Sequence, residues 1–338
     1  MDEVMTHRER VIAALLLEEP DTVPISPGLD ERFKILPEVY DKLAEASDFL
    51  YWARVPPVPP FYTASHKVKT HVNKIVYPDY EIYETRIETP KGPLTSISKS
   101  PRISVSPGIF ATSSSSLLKG YIEEEGDVEK FLSIPYEPSR PDPKPFFDLV
   151  ERFGNRGLVL RDFNDPIGVV VSLFKLDKFY VWLYKKTHLI KALFDAVHPR
   201  IMDYVDFLLK RGVGPLFNIT GPEFACTTFV APRFFDSLVA AYDRELIKLI
   251  HEHGQLVMIH CHGKVNDLLE KFADMDADGL NPLETPSETW DSGDVDLADA
   301  KRRIGHKVCL VGSVQTGDLA MGNKKLVEKR CREAIEKA

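Results

Sequence analysis

From about residue 146 onward, segments with helical periodicity alternate with short apolar runs, and this alternation most constrains the fold of the 338-residue chain. Such alternation predicts parallel strands joined by crossover helices. The predicted strands are 158–160, 216–219, 256–259, 279–280 and 308–311. The predicted helices are 146–153, 186–211, 232–253, 265–272, 297–304 and 324–337.

We predict that this α/β sheet closes into a (β/α)8 TIM barrel forming a single domain over residues 1–338. A doubly wound open sheet is the alternative. The chain has neither a GxGxxG motif after a strand nor a phosphate-loop lysine motif, which removes the commonest reasons for the open sheet.

An N-terminal extension and an inserted β-hairpin precede the regular part. A helix is predicted over 6–19, because Thr6 and Glu9 have the spacing of a capping box. A first strand follows at 23–26, and a helix at 38–52. Alternating residues on both sides of a turn at 90–92 predict a hairpin over about 80–98 that decorates the barrel.

The last residues form a predicted helix that follows the last predicted strand, 308–311. A barrel closed between its first and last strands needs an eighth strand. We therefore expect that the final strand is missing from these 338 residues and that the natural chain continues past Ala338.

Charge and cysteine content narrow the class of protein. The 43 Lys and Arg against 51 Asp and Glu give a net charge of -8, which argues against a nucleic-acid partner. No apolar run approaches the roughly 18 residues that span a bilayer, and the charged N-terminus is unlike a signal peptide. The four scattered cysteines form no disulfide framework. These features predict a cytoplasmic protein with no membrane partner.

The strongest site signal stands at the end of the run 256–259. Alternate residues of an extended chain share a face, so His260 and His262 point together. Glu284, 22 residues after His262, follows the next predicted strand. Two imidazoles and a carboxylate at neighbouring strand ends predict a divalent metal site, with zinc as the expected ion. The alternative is that these are ordinary loop histidines and a capping or solvent-facing glutamate.

Other polar residues follow the predicted strands, at the end of a parallel barrel where active sites lie. We select Glu223, Asp162 and Asp165 as catalytic candidates. The alternative for Glu223 is a salt bridge to an arginine, and for the two aspartates a turn or cap role. Trp52 could line a substrate pocket, although aromatic residues usually belong to the core. Further candidates are Asp30, Arg32, Asn281, Ser313 and Gln315.

Collectively, seven segments of the chain resemble the uroporphyrinogen decarboxylase superfamily. They are residues 6–15, Glu19-Pro20-Asp21, Val23-Pro24, Pro232-Arg233-Phe234-Phe235, His260-Cys261-His262-Gly263, residues 276–282 and Val311-Gly312-Ser313-Val314-Gln315. The resemblance implies a (β/α)8 barrel.

The superfamily contains two functional groups of enzymes, and the resemblance favours one of them. The decarboxylases carry an arginine-rich motif after the first strand, where this chain offers only Arg32. The zinc methyltransferases that work with corrinoid proteins carry His-x-Cys, and here His262 takes the position of the cysteine. The similar cobalamin-independent methionine synthases have a glutamate 22 residues later, which corresponds to Glu284. The methyltransferases' last-strand cysteine has no counterpart here.

An imidazole in place of a thiolate leaves a metal more electrophilic. The resemblance therefore implies a zinc- and corrinoid-dependent methyltransferase, in which the metal acts as a Lewis acid. It would move a methyl group from a small methoxy or methylamine compound to the cob(I)alamin of a corrinoid protein. The predicted partners are that substrate, the corrinoid protein and, in a homodimer, a second copy of the chain.

Two other classes of protein remain open. One is a metal-free decarboxylase or lyase in which Asp162 or His260 acts as acid or base. The other is a binding protein with structural histidines.

Overall fold

The computed structural model describes residues 4–27, 37–55, 68–102, 115–287, 293–312 and 314–337; Asp30, Arg32 and Ser313 lie outside them. The strands are β1 Phe49–Ala53, β2 Thr70–Val76, β3 Tyr80–Thr89, β4 Gly92–Pro101, β5 Ser116–Lys119, β6 Gly157–Asn164, β7 Leu216–Thr220, β8 Leu256–His260, β9 Gly279–Leu283 and β10 Cys309–Gly312. The helices are α1 His7–Leu15, α2 Pro37–Ala46, α3 Glu125–Leu132, α4 Lys144–Phe153, α5 Pro166–Val171, α6 Leu176–Lys185, α7 Thr187–Lys210, α8 Ala241–Glu252, α9 Leu269–Ala273, α10 Leu297–Ile304, α11 Thr316–Ala320 and α12 Lys324–Lys337.

A curled parallel sheet with the order β1-β6-β7-β8-β9-β10 forms the centre of the protein. Five of its strands are the apolar runs that the sequence predicts after residue 146, so the prediction of an α/β fold with a parallel sheet is confirmed. Six strands of this sheet lie in the described part of the chain. In that part β1 and β10 do not pair, so closure into an eight-stranded barrel stays a prediction.

The first strand is not where the sequence predicts it. Residues 23–26 form no strand, and β1 lies at the end of the predicted helix 38–52. The helix stops at Ala46, and Asp48 turns the chain by accepting a hydrogen bond from the backbone of Ile25 at 2.9 Å. The aromatic and apolar residues that follow suit a pleated, buried strand better than a helix. β1 pairs in parallel with β6.

Helix α1 begins as the sequence predicts and ends earlier. The Thr6 side chain accepts from the backbone of Glu9, and the Glu9 carboxylate accepts from the backbone of Thr6, which confirms the capping box. The helix ends at Leu15 instead of residue 19, because Leu17 has φ 59 and leaves the helical region.

The predicted helices after residue 146 correspond to α4, α7, α8, α9, α10 and α12. The predicted helix 232–253 is divided into a 3₁₀ turn Pro232–Phe234, a π-helical turn Asp236–Ala240 and α8. Helices α5 and α6, between β6 and α7, were not predicted. Helix α7 contributes eleven buried residues and packs against α3, α5, α6 and α8.

A separate antiparallel sheet has the order β2-β3-β4-β5. Strands β3 and β4 pair from Tyr80 opposite Pro101 to Thr89 opposite Gly92, which confirms the predicted hairpin. The sequence analysis missed β2 and β5. Strand β2 is exposed along its whole length, so it has no buried face to produce an alternating pattern.

Within the described ranges no helix is both long enough and apolar enough to cross a membrane.

Candidate active site

The candidate site lies at the carboxyl ends of β8 and β9, which are adjacent in the sheet. His260 is the last residue of β8 and stands opposite Asn281 of β9 in the parallel register. Its Nδ1 atom lies 2.8 Å from Oδ1 of Asn281. Because an amide oxygen only accepts, this contact puts the imidazole proton on Nδ1 and leaves Nε2 with its lone pair.

His262 and Glu284 meet beside His260. The two imidazole rings are 4.5 Å apart and nearly perpendicular. Nδ1 of His262 lies 3.4 Å from Oε1 of Glu284. The other carboxylate oxygen, Oε2, accepts from the backbone N–H of Gly263 at 2.8 Å. The three predicted metal ligands therefore come together, with the carboxylate of Glu284 buried and the side chain of His262 56% exposed.

The electrostatic environment separates the two histidines. Burial and the neighbouring His262 lower the pKa of His260 to about 4, so this imidazole is neutral at physiological pH. The hydrogen bond to Glu284 raises the pKa of His262. The site thus holds one neutral imidazole and one that favours its protonated form.

Glu223 approaches the same site from the turn after β7. It lies in the 3₁₀ turn Pro222–Ala225, and its Oε2 accepts from the backbone N–H of Gly221 at 2.9 Å. Burial raises the pKa of Glu223, and the charge of His262 acts on it in the opposite direction. The alternative, a salt bridge to an adjacent arginine, is not found for Glu223 among the described residues.

Asp162 lies at the end of β6 and is held by the neighbouring strand. Its Oδ1 accepts from Nδ2 of Asn218 in β7 at 2.9 Å. Its Oδ2 is 3.9 Å from a guanidinium nitrogen of Arg54, which follows β1. The charge of Asp162 raises the pKa of Glu223, so the two carboxyls belong to one electrostatic group.

Asp165 lies deeper than the other candidates and has no exposed surface. It is the N-cap of α5, where its Oδ1 accepts from the backbone N–H of Gly168 at 2.7 Å. Its carboxyl faces that of Asp243 in α8, a residue that the sequence analysis did not select. Asp165 therefore lies behind the turn that contains Glu223, away from the exposed part of the site.

The partners that orient the site were not predicted from the sequence. Asn281 was noted as a strand-end residue but not as the partner of His260, and Asn218 and Arg54 were not selected. Trp52 packs edge-on against the imidazole of His260, with 5.2 Å between ring centroids. The sequence indicates Trp52 as a possible pocket residue, but its place at the carboxyl end of a strand follows only once β1 is assigned correctly.

The donor chemistry fits a divalent metal. Neutral His260 offers Nε2 while Asn281 fixes its ring, and metal-bound histidines usually have such a partner on the other nitrogen. His262 and Glu284 supply a second imidazole and a carboxylate. These donor types suit a divalent metal, but within the described ranges no group of three His, Cys, Asp or Glu side chains is placed so that it could hold one.

Comparisons with known proteins agree with this architecture. The sequence profile of the family described as Uroporphyrinogen decarboxylase (URO-D) matches residues 165–338, which include all the candidate ligands. A solved methyltransferase from Methanosarcina mazei superposes with a TM-score of 0.60 at 16% identity, covering 99% of this chain and 90% of that chain. No curated protein matches the sequence. At this identity the structural likeness concerns the fold alone.

Proposed function

This chain belongs to the uroporphyrinogen decarboxylase family, and from that premise we propose that it is a methyltransferase. Its proposed reaction takes a methyl group from a small methoxy or methylamine compound and delivers it to the cob(I)alamin of a corrinoid protein. The fold similarity to a methyltransferase supports the reaction class.

One observation carries the proposal: two imidazoles and a buried carboxylate meet at the carboxyl ends of adjacent parallel strands. His260 and His262 have rings 4.5 Å apart, and Glu284 lies 3.4 Å from His262. Active sites of parallel barrels lie at this end of the sheet. We extend this to the rest of the fold and propose that the curled sheet belongs to a single-domain (β/α)8 barrel.

His260, His262 and Glu284 are the residues that we assign to a bound zinc ion. When bound, zinc would supply Lewis acidity toward the oxygen or nitrogen that carries the methyl group. Asn281 would keep the His260 ring in the orientation that directs Nε2 away from β9. Asp162 and Asn218 would hold the adjacent wall of the site.

We propose that Glu223 supplies the proton that the reaction requires. The oxygen or nitrogen that loses the methyl group keeps the bonding electrons and takes up a proton. A half-buried carboxyl that is hydrogen-bonded to its own turn is held in one orientation for such a transfer. Trp52, against His260, would give the site an apolar wall.

We also propose the partners of this protein and the cell compartment in which it works. The methyl acceptor is carried by a corrinoid protein, which must reach the carboxyl end of the sheet. We propose a cytoplasmic location for both proteins and a homodimer as the assembly of this chain.

The test is an assay of methyl transfer to cob(I)alamin with methoxyarenes, methylamines and thiols as alternative substrates. We expect turnover with a methoxy or methylamine compound, and loss of both bound zinc and turnover in His260→Ala. His188→Ala, which changes an exposed histidine on α7, is the matched control. Activity confined to thiols would reverse the assigned direction of transfer, and a metal-free enzyme with full turnover would refute the zinc assignment.

A second candidate is a metal-free decarboxylase or lyase that uses Asp162 or His260 as acid or base. The family match favours it, since the family takes its description from a decarboxylation. Release of CO₂ from a carboxylated substrate by chelator-treated protein, abolished in Asp162→Asn, would select this candidate over the methyltransferase.

A further inference from the structure

Two buried carboxyl groups lie behind the candidate site. Asp165 at the N-terminus of α5 and Asp243 in the first turn of α8 both have 0% exposure. Their side chains are within hydrogen-bonding reach of one another. A π-helical turn, Asp236–Ala240, precedes α8 and packs against α5. Two helices that are distant in sequence thus bring these carboxyls together.

The hydrogen bonds of the pair require a proton. Oδ1 of Asp165 accepts from Gly168, whereas Oδ2 of Asp165 and both oxygens of Asp243 meet no donor among the described residues. Two buried carboxylates in contact would repel each other and would lack solvation. Burial raises the pKa of both. A single proton shared between Oδ2 of Asp165 and one oxygen of Asp243 supplies the donor that this contact lacks.

The Asp165 carboxyl in turn supports the backbone before Glu223. Gly221 has φ +129, and a Cβ atom placed on it would lie 1.9 Å from Oδ1 of Asp165. The backbone N–H of Asp165 donates to the carbonyl of Thr220 at 2.8 Å. Gly221 then donates its own N–H to Glu223. The contacts thus lead from Asp243 through Asp165 and Gly221 to Glu223, whose charge interacts with that of His262.

We propose that Asp243 is a positioning residue, which shares a proton with Asp165 and so fixes the turn that holds Glu223 in the candidate site. The role given to Glu223 rests on the proposed function; the shared proton and the fixed turn do not. The other titratable groups that act on Asp165 or lie beside it are Glu223 and Cys261.

The first test concerns the proton and needs no activity. Infrared spectra of protein carrying ¹³C-labelled aspartate should contain a protonated-carboxyl band at neutral pH. The band should disappear in Asp243→Asn and in Asp165→Asn, because an amide N–H replaces the shared O–H in either variant. Absence of the band in the unmodified protein would overturn the proposal.

The second test concerns the turn. Amide hydrogen exchange of residues 220–226 should accelerate in Asp243→Leu, which removes the hydrogen-bonding partner of Asp165, and should stay unchanged in Asp243→Asn. Asp236→Leu, at a carboxylate paired with Lys271 on the surface, is the matched control. If Asp243→Leu does not fold, Asp243→Ala, which also removes the carboxyl group, takes its place in the comparison, with faster exchange expected. Faster exchange in Asp243→Asn equal to that in Asp243→Leu would overturn the proposal.

Turnover separates this inference from the proposed function. Where methyl transfer is measurable, Asp243→Leu should lower kcat about 100-fold, because a misplacement of a reacting group by about 1 Å has an effect of this size. KM should stay unchanged, and Asp243→Asn should restore kcat. Normal kcat in folded Asp243→Leu would refute the positioning role. If the unmodified protein transfers no methyl group, the proposed function fails, and the infrared and exchange results still decide the fate of the pair.

Discussion

Nδ1 of His260 lies 2.8 Å from Oδ1 of Asn281, directly across the β8–β9 pairing. The contact fixes both the tautomer and the orientation of the ring, because the amide oxygen can only accept. The contact thus leaves His260, the more buried of the two histidines, as a neutral imidazole in which Nε2 is the nitrogen that can coordinate a metal ion.

Asn281→Ala should weaken zinc binding without removing any predicted ligand. Loss of an outer partner of a coordinating histidine costs about 10–100-fold in metal affinity. We expect a decrease in that range, measured by competition with a chromophoric chelator. Asn73→Ala, on the exposed strand β2, is the control. Equal affinities for both variants would contradict the role given to Asn281.

Gly221→Ala should destabilise the protein more than an alanine at another glycine with positive φ. Gly221 and Gly92 have φ +129 and +113, so alanine strains the backbone at either position, by about 1–2 kcal/mol. Only at Gly221 does the added Cβ meet an atom, Oδ1 of Asp165 at 1.9 Å; around Gly92 nothing lies within 4 Å. Overpacking adds roughly 1–3 kcal/mol.

Urea denaturation of Gly221→Ala and Gly92→Ala measures this difference. A free energy of unfolding that falls by the same amount in both variants would mean that the turn moves away from Asp165 at no cost, and the proposed support of Glu223 would lose its basis.

The parts of the fold with a local cause could be predicted from the sequence. The capping box of Thr6 and Glu9 and the hairpin around residues 90–92 depend on neighbours within a few residues. The parallel strands after residue 146 could be predicted because strands buried on both faces are continuous apolar runs. The first strand was missed because neither Gly nor Pro separates α2 from β1.

The site could be predicted only where its residues follow strands. His260, His262 and Glu284 stand at or after strand ends, and strand ends can be recognised in a sequence. Asp243 belongs to the first turn of α8, and a carboxylate in a predicted helix is normally assigned to its solvent-exposed, polar face. Its burial depends on how α8 crosses α5, which no local pattern encodes.

The pair of His251 and Asp278 should make stability depend on pH. Nε2 of His251 lies 2.9 Å from Oδ2 of Asp278, and this hydrogen bond raises the pKa of His251 above 6.5. The protonated form is therefore favoured in the folded state. The pair stabilises fully below the unfolded pKa of about 6.5, and its contribution disappears as pH rises through the higher folded pKa.

His251→Gln removes this contribution. The difference in melting temperature between the unmodified protein and His251→Gln should be largest near pH 5.5 and should decrease toward pH 8.5. His188→Gln, at an exposed position on α7, should leave the profile unchanged. A difference that grows with rising pH would contradict the raised pKa.

Tyr204→Phe should lower the stability of the protein, because it removes one hydrogen-bond acceptor of the buried Arg161 guanidinium. Arg161 is fully buried in β6, and its guanidinium donates to the Tyr204 hydroxyl at 2.6 Å and to the carbonyl of Ala53 at 2.9 Å. Phenylalanine preserves the ring and removes one acceptor. An acceptor lost to a buried donor costs about 1–3 kcal/mol.

The matched control is Tyr184→Phe, because the Tyr184 side chain on α6 is 56% exposed. Chemical denaturation should give a lower free energy of unfolding for Tyr204→Phe and an unchanged value for Tyr184→Phe. Since Arg161 joins β6 to the end of β1, Tyr204→Phe should also accelerate amide exchange in both strands, beside Asp162 and Arg54. Equal free energies of unfolding for the two variants would mean that the other contacts of Arg161 are sufficient. The hydrogen bond from Arg161 to Tyr204 would then not be needed to hold β1 and β6 together.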